Sequence, residues 1–232
     1  MSAFISIEAD HVQLDLNGFS ILCSNVLTGQ PCTGSPTGTD GIYVTGDQAR
    51  IRNGSVRGIP RDGIKSTGQV YGTHVEDVRI NDVGRYGILV ESEAYVRTST
   101  ISGCGNSGIV VGRESVVVGN SVHGCGDTGF RIGLGSRVHD NVSTRNQGDG
   151  FFVQDSSLIR ANTAYKNGND GIRTLNYCTV QHNAVSDNGG FGMVLGVHSA
   201  YGENVITTNS QGTVSGGVDM SSNSCNGTTT CP

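Results

Sequence analysis

The stretch "NQGDGFFVQDSSLIRANTAYK" (residues 146–166) and the stretch "NGNDGIRTLNYCTVQHNAVSD" (residues 167–187) decide the fold of this chain. Both segments are 21 residues long, and asparagine, aspartate–glycine and aliphatic residues recur at equal positions in both. A fixed repeat in the low twenties is typical of a solenoid, in which each coil buries its apolar face against its neighbours.

The repeat extends well beyond these two segments as three ladders. Two ladders carry asparagine or cysteine and one carries glycine: Asn120, Asn141, Asn162, Asn183 and Asn204; Cys104, Cys125, Asn146, Asn167, Asn188 and Asn209; Gly87, Gly108, Gly129, Gly150, Gly171 and Gly192. Coils stacked about 4.8 Å apart place equal positions above one another, so buried amides can bond from coil to coil. We therefore expect the asparagines to be structural and the glycines to serve turns with positive φ.

Apolar residues follow each ladder glycine at fixed offsets, as Phe151, Val153, Ile159 and Ala164 follow Gly150. The first two alternate with variable residues, which is the period of a strand with one buried face. Helical spacing is absent and β-branched residues dominate the inward positions. The pattern predicts three short parallel strands in each coil and an all-β, single-stranded β-helix.

The repeat Gly-Ile-x-Val, Val-x-x-Asn and Asn-Gly-x-x-Gly, as in "NGNDGIRT" (167–174) and "NQGDGFFV" (146–153), resembles the right-handed parallel β-helix proteins of the pectate-lyase-like superfamily. The opening "ADHVQLDLNGFSI" (9–21) looks like a first-coil signature of bacterial β-helix repeat proteins, including the periplasmic copper-site maturation (NosD-type) group. The resemblance covers almost the whole chain. It implies carbohydrate-active enzymes, tailspikes, adhesins or scaffolds.

We assign residues 1–232 to a single β-helix domain. Residues 1–62 are irregular first coils with a polar loop at 23–40, residues 63–212 are regular coils, and residues 213–232 close the C-terminal end. Solenoid ends normally need a polar cap. We therefore expect Met1 to begin a trimmed chain from which an export signal or cap has been removed.

The composition argues against several partners. The chain has 36 glycines, no tryptophan and a net charge of −5 without a basic run, which argues against nucleic acid. No apolar run is long enough to predict a transmembrane helix. The sequence leaves oligomerisation open.

Seven cysteines indicate an oxidising compartment, so we predict a secreted, periplasmic or cell-surface protein. Cys23–Cys32 and Cys225–Cys231 each bracket a loop, and we predict both as disulfides. Cys104 and Cys125 share a ladder position, where a disulfide and a buried stack are both open. Cys178 has no predicted disulfide partner. No zinc-ligand spacing occurs and no metal ligands are assigned.

A candidate substrate groove follows from the resemblance, because related enzymes bind glycans outside the strand that begins at the ladder glycine. Arg131, Phe152 and Arg173 occupy the outward position there, the two arginines roughly 10 Å apart. Arginine suits carboxylates and an aromatic ring suits sugar stacking. The alternative is an ordinary solvated column with Phe152 covered by a loop.

Candidate catalytic residues precede the same strands. Asp149 and Asp170 lie in adjacent coils, where paired carboxylates can share a proton, bind calcium or act as acid, base or nucleophile. Lys166 and Arg145 are expected beside them. The alternatives are plain Asp-Gly turns and surface charge pairing.

A Tyr/His pair, Tyr177 with His198, resembles what alginate epimerases and some lyases use, and Tyr177 is assigned to substrate binding. The histidine-bearing "GHG", the "RIK" and the epimerase "DPH" elements are absent, and "RGIPRDGIK" (57–65) matches the lyase pattern only loosely.

The sequence thus predicts an exported protein that binds or cleaves an acidic polysaccharide as a lyase or hydrolase. The alternative is a non-catalytic scaffold or adhesion protein. Calcium is the one cofactor left open, and delivery of a metal or ligand rests on fold analogy alone.

Overall fold

The computed structural model describes residues 2–23, 38–229 and 231, and every regular element among them is a β-strand. The three-strand coil that the repeat predicts is confirmed, with about nine turns of a right-handed parallel β-helix. Within the described residues, no helix is long and apolar enough to cross a membrane.

The strands form three parallel faces. The glycine sheet contains the strands that follow the ladder glycines and the N-terminal strands that pair with them: Ser2–Ile7, Thr39–Val44, Ile64–Ser66, Ile88–Val90, Ile109–Val111, Phe130–Ile132, Phe151–Val153 and Ile172–Thr174. The second sheet contains Gln13–Asp15, Tyr95–Arg97, Val116–Val118, Arg137–His139, Leu158–Arg160 and Thr179–Gln181. The third sheet contains Ser20–Leu22, Thr100–Cys104, Ser121–His123, Val142–Thr144, Thr163–Tyr165, Ala184–Ser186, Val205–Thr207 and Ser224–Cys225.

Four longer strands pass from one sheet into the next. Arg50–Arg57 and His74–Val83 run through the second and third sheets, and Phe191–Gly202 and Gly212–Asp219 run through the glycine and second sheets. Gly212–Asp219 and Ser224–Cys225 still pair in parallel with the preceding coil. Residues 212–225 therefore add a shortened coil, whose pairing with the preceding coil is irregular between Leu195 and Ala200.

Equal positions of the repeat face each other across neighbouring strands. Phe130 pairs with Phe151 and Phe151 with Ile172, all fully buried. The rings of Phe130 and Phe151 stack with centroids 4.7 Å apart. The alternation of the strand directs these side chains inward, and the residue between each inward pair faces outward onto solvent.

The structure contradicts the expectation that the ladder glycines have positive φ. Their φ angles are not positive, whereas residues immediately before ladder asparagines, such as Ala161 (φ 54°) and Lys166 (φ 56°), are left-handed. Glycine is required because there is no room for a side chain. A Cβ on Gly171 would contact the Val185 side chain and lie 2.7 Å from the Gly192 carbonyl oxygen.

The cysteines resolve the alternatives at the ladder. Cys104 and Cys125 form a disulfide between adjacent coils, with Cα atoms 4.5 Å apart, and Cys225–Cys231 is a disulfide as predicted. Cys178 is free and buried. The remaining predicted pair involves Cys32, which lies outside the described residues.

Candidate functional site

Arg131, Phe152 and Arg173 form one outward column on the glycine sheet, as the repeat predicts. Arg131 pairs with Phe152 and Phe152 with Arg173 across adjacent parallel strands. Each is flanked by buried residues, so the strand alternation holds all three on the outer face. The column is a row of three side chains along the axis of the helix.

Phe152 does not lie free between two arginines. The Arg131 guanidinium carbon is 5.4 Å from the centroid of the Phe152 ring, and its Nη1 is 3.5 Å from Asp127 Oδ2. A cation over an aromatic face is attracted by the ring quadrupole. The pair therefore presents a combined cation–aromatic surface, in which Arg131 covers one face of the ring.

Arg173 joins the column to the two aspartates. Its Nε and Nη2 donate to Asp170 Oδ2 at 3.1 and 2.6 Å, and its Nε lies 3.5 Å from Asp149 Oδ2. The Arg173 side chain is 45% exposed while those of Asp149 and Asp170 are 11% and 5% exposed. One partly exposed cation thus lies over two buried carboxylates, which the sequence predicts only as neighbours.

The other carboxylate oxygens hold the backbone. Asp149 Oδ1 accepts from the Asp170 nitrogen at 3.1 Å, and Asp170 Oδ1 accepts from the Phe191 nitrogen at 2.8 Å. Burial raises the pKa of Asp149, and the Asp170 charge adds to this, while the hydrogen bond from the Asp170 nitrogen and the charge of Arg173 oppose it. Asp149 therefore retains a proton to higher pH than an ordinary aspartate.

Two other predicted residues lie at the edges of this arrangement. The Lys166 ammonium is 4.9 Å from the ring centroid of Tyr165, and no ion pair within the described ranges joins it to Asp149 or Asp170. Tyr177 stacks on His198 with ring centroids 5.2 Å apart and is 60% exposed. The structure thus brings Tyr177 and His198 together and leaves Lys166 apart from the carboxylates.

A second constellation of the same type lies in the N-terminal coils. "DGIY" (40–43) and "DGIK" (62–65) parallel "DGFF" (149–152) and "DGIR" (170–173), a signal visible in the sequence. The Asp62 nitrogen donates to Asp40 Oδ1 at 3.2 Å, and Lys65 Nζ is 3.6 Å from Asp62 Oδ2. Here the carboxylates and Lys65 are all buried.

The N-terminal constellation shows what the shared motif does structurally. In both places the first carboxylate accepts the backbone nitrogen of the second, and a cation three residues further on neutralises the pair. The cation three residues on differs in access, because Lys65 is 5% exposed and the Arg173 side chain is 45% exposed. Two further arginines, Arg61 and Arg85, lie 3.7 Å from Asp40 and 3.8 Å from Asp62, with side chains 20% and 41% exposed. The Asp149–Asp170 pair is distinguished by its place beside the Arg131–Phe152–Arg173 column.

No group of three or more His, Cys, Asp or Glu residues that could hold a metal occurs within the described ranges. The two carboxylates of the candidate site are each used by the backbone and by Arg173. A calcium ion at this place would therefore have to draw most of its oxygen ligands from a bound glycan.

A family model described as the right handed beta helix region matches residues 40–179. No curated protein matches the chain.

Among solved structures, a mutant of the periplasmic alginate epimerase AlgG is similar, with a TM-score of 0.64 and 14% identity over 92% of this chain and 68% of that one. The A-module of a mannuronan C-5 epimerase from Azotobacter vinelandii has a TM-score of 0.61 and 19% identity, covering 93% and 72%.

The catalytic unit of a thermostable α-1,3-glucanase from Streptomyces thermodiastaticus has a TM-score of 0.62 and 12% identity, covering 76% of this chain and 44% of its own. The chain thus spans about two thirds of the epimerases and less than half of the glucanase unit. At these identities the likeness establishes the fold.

Proposed function

This chain belongs to the right-handed β-helix family, and from that premise we propose that it binds an acidic polysaccharide along the outer face of the glycine sheet. One observation carries the proposal: Arg131, Phe152 and Arg173 are register partners, and the two arginine side chains remain 48% and 45% exposed.

Carboxylate recognition would fall to the arginines. Asp170 and Asp149 occupy the Nε and Nη2 donors of Arg173, and the remaining N–H groups of its five-donor fork are available to a ligand. Tyr177, stacked on His198, would offer a second aromatic surface further along the helix. The epimerases and the glucanase named above act on polysaccharides by their descriptions, which supports a carbohydrate ligand.

Turnover would use the different environments of Asp149 and Asp170. Burial raises the pKa of Asp149, and Asp170 is paired with Arg173. Two neighbouring carboxyl groups in different environments are the arrangement that acid–base cleavage uses. Lys166 remains a candidate base only for a substrate that draws its ammonium away from Tyr165. Lyase and hydrolase chemistry are both compatible with these groups.

Export to the periplasm, the cell surface or the medium belongs to the same proposal. It is supported by the disulfides Cys104–Cys125 and Cys225–Cys231, because disulfides persist in oxidising compartments.

A scaffold without catalysis is the second candidate, and it has its own supporting observation. Asp40, Asp62, Asp149 and Asp170 all accept a backbone nitrogen from the next coil, so the whole column has a structural task.

A glycan screen separates the two candidates. The protein would be incubated with polygalacturonate, alginate and neutral polymers, with and without calcium. Absorbance near 235 nm reports lyase products, reducing ends report hydrolysis, and affinity electrophoresis reports binding. Binding without turnover would leave a lectin-like or adhesive function, and the absence of any bound glycan would favour the scaffold.

A further inference from the structure

A cleft of about 380 Å³ opens on the second sheet, on a different face from the column just described. Its walls include Arg137, His139, Asp140, Leu158, Arg160 and Ala161. These residues come from two adjacent coils and from the turns that follow them.

The strand alternation forces the polar groups outward. Arg137 and His139 flank the buried Val138, and Leu158 and Arg160 flank the buried Ile159. Arg137 pairs in register with Leu158, and His139 with Arg160. The two arginines are therefore diagonal neighbours on adjacent strands, at a spacing of about 7–8 Å that long side chains can bridge through a shared ligand.

The same sheet neutralises its cations elsewhere. In the N-terminal coils Arg52 lies 3.0 Å from Asp15, and Glu76 receives hydrogen bonds from Arg50 at 2.9 Å and from Arg97 at 2.7 Å.

In the cleft, by contrast, neither Arg137 nor Arg160 has an ion pair within the described part of the chain. The one carboxylate in the wall, Asp140, is taken by His139 at 2.8 Å. Two unneutralised guanidinium groups thus share a concave surface in a chain whose net charge is −5.

The shape of the cleft suits a sugar ring rather than a bare ion. Leu158 is 37% exposed between the two arginines and supplies an apolar floor. Ala161 adopts a left-handed φ of 54°, where residues with a Cβ are disfavoured. The equivalent residues in the flanking coils are Asp140 and His182, so alanine at this place leaves open the space that a longer side chain would fill.

We propose that this cleft is a second binding site for an acidic glycan, in which Arg137 and Arg160 hold a sugar carboxylate and Leu158 contacts the ring. It stands on residues other than those of the glycine sheet, so either site can exist without the other. A polymer bound at both faces would contact the protein at two points, and such bivalent contact raises avidity without any new interaction.

The test is calorimetric titration with hexagalacturonate and hexamannuronate, with cellohexaose as the neutral probe. The cleft variant is R137Q/R160Q. Its control, R79Q/R113Q, removes the same charge from two exposed arginines that also have no ion pair within the described residues and lie outside both sites. In an R173A background, the cleft variant should weaken uronate binding by about tenfold or more, the range for charged hydrogen bonds, and the control by less than about twofold.

Arginine modification of the parent protein provides a test without mutation. Bound hexauronate should protect Arg137 and Arg160 from phenylglyoxal, as mapped by mass spectrometry, and leave Arg79 and Arg113 reactive. This measurement decides the matter if the double variant does not fold.

The outcomes distinguish the two sites. Loss in the cleft variant with no loss in R173A supports the cleft and removes the glycine-sheet site. Loss in R173A, with the cleft variant equal to its control and no protection of Arg137 and Arg160, overturns the cleft and leaves the proposed function in place. No uronate binding by the parent overturns both.

Discussion

Asn162 donates to Asn183 twice: its backbone nitrogen and its side-chain amide both reach Oδ1 of Asn183, at 2.9 and 3.1 Å. Its own Oδ1 receives the same two bonds from Asn141. The motif continues from Asn120 to Asn204 and ends at Asn223, one coil beyond the regular repeat. Each buried amide thus joins three consecutive coils.

Replacing Asn162 with alanine should destabilise the helix. The change removes the acceptor of the buried Asn141 backbone nitrogen and the donor to the Val138 and Arg160 carbonyl oxygens, which costs about 1–3 kcal/mol. Thermal melting checks this, with Asn169→Ala, at an exposed asparagine, as the control. Equal melting temperatures for both variants would contradict a structural role for the ladder.

Cys178 should be the protected thiol of the described residues. Burial raises the pKa of the Cys178 thiol, so iodoacetamide should modify it only after denaturation. Cys104, Cys125, Cys225 and Cys231 should react only after reduction. Peptide mapping reports each site and also tests the predicted Cys23–Cys32 bond. Alkylation of native, unreduced protein at the ladder cysteines would show that the inter-coil disulfide does not form.

Arg173→Ala should weaken binding of an acidic glycan by roughly 1.5–3 kcal/mol, the range for a charge-assisted hydrogen bond. Arg173 is the partly exposed cation of the candidate site. Titration with oligouronates measures the effect, and Arg113→Ala is the control. Unchanged affinity in the Arg173 variant would place the binding site elsewhere.

Asp170→Asn should abolish any turnover and spare the fold. Asparagine keeps an oxygen for the Phe191 nitrogen and loses the charge that orients Arg173. Circular dichroism and melting should match the parent, while product release falls to background in the assay that detects parent activity. Full turnover in this variant would exclude Asp170 from the chemistry.

Asp149 should make the stability depend on pH. Its folded-state pKa is raised above the ordinary 3.8, so the folded protein binds the proton more tightly than the unfolded chain. That contribution is complete below the ordinary pKa and is lost as pH rises through the folded-state pKa.

Asp149→Asn is neutral at every pH and keeps the acceptor for the Asp170 nitrogen. Its melting temperature should therefore rise relative to that of the parent as the pH increases from about 4 to 7. Asp155→Asn is the reference for removing one negative charge. A gain that shrinks toward neutral pH would show that Arg173 outweighs the cost of burial.

Much of the candidate site follows from the repeat. Once the period is known, Arg131, Phe152 and Arg173 must lie in one outward column, and Asp149 and Asp170 must be neighbours. The period does not predict the conformations of the long side chains. Arg131 lies over Phe152, Arg173 bends back to Asp170, and Lys166 turns to Tyr165.

The ion pairing of Arg137 and Arg160 in the cleft likewise does not follow from the repeat. Both residues are in the sequence pattern as ordinary outward positions of the second strand. That neither arginine has an ion pair among the described residues depends on which carboxylates reach them, and Asp140 is bonded to His139 instead. Charge pairing across strands depends on the conformations of long side chains, and the sequence repeat does not specify those conformations.

The sequence by itself determined the coil, its three strands, the asparagine ladders and the register of the outward columns in the regular coils. These follow because a period near 21 residues and the two-residue alternation of strands leave one way to bury the apolar positions. Only the tertiary structure decided that the ladder positions require glycine because a side chain would not fit there, and not because their φ is positive. It also decided that Cys104 and Cys125 form a disulfide. It further decided that the cation three residues after the second aspartate is partly exposed in the case of Arg173 and buried in the case of Lys65. The reason is that access and contact depend on what the neighbouring coils and turns place in the surrounding space, and residues far apart in the chain supply those atoms.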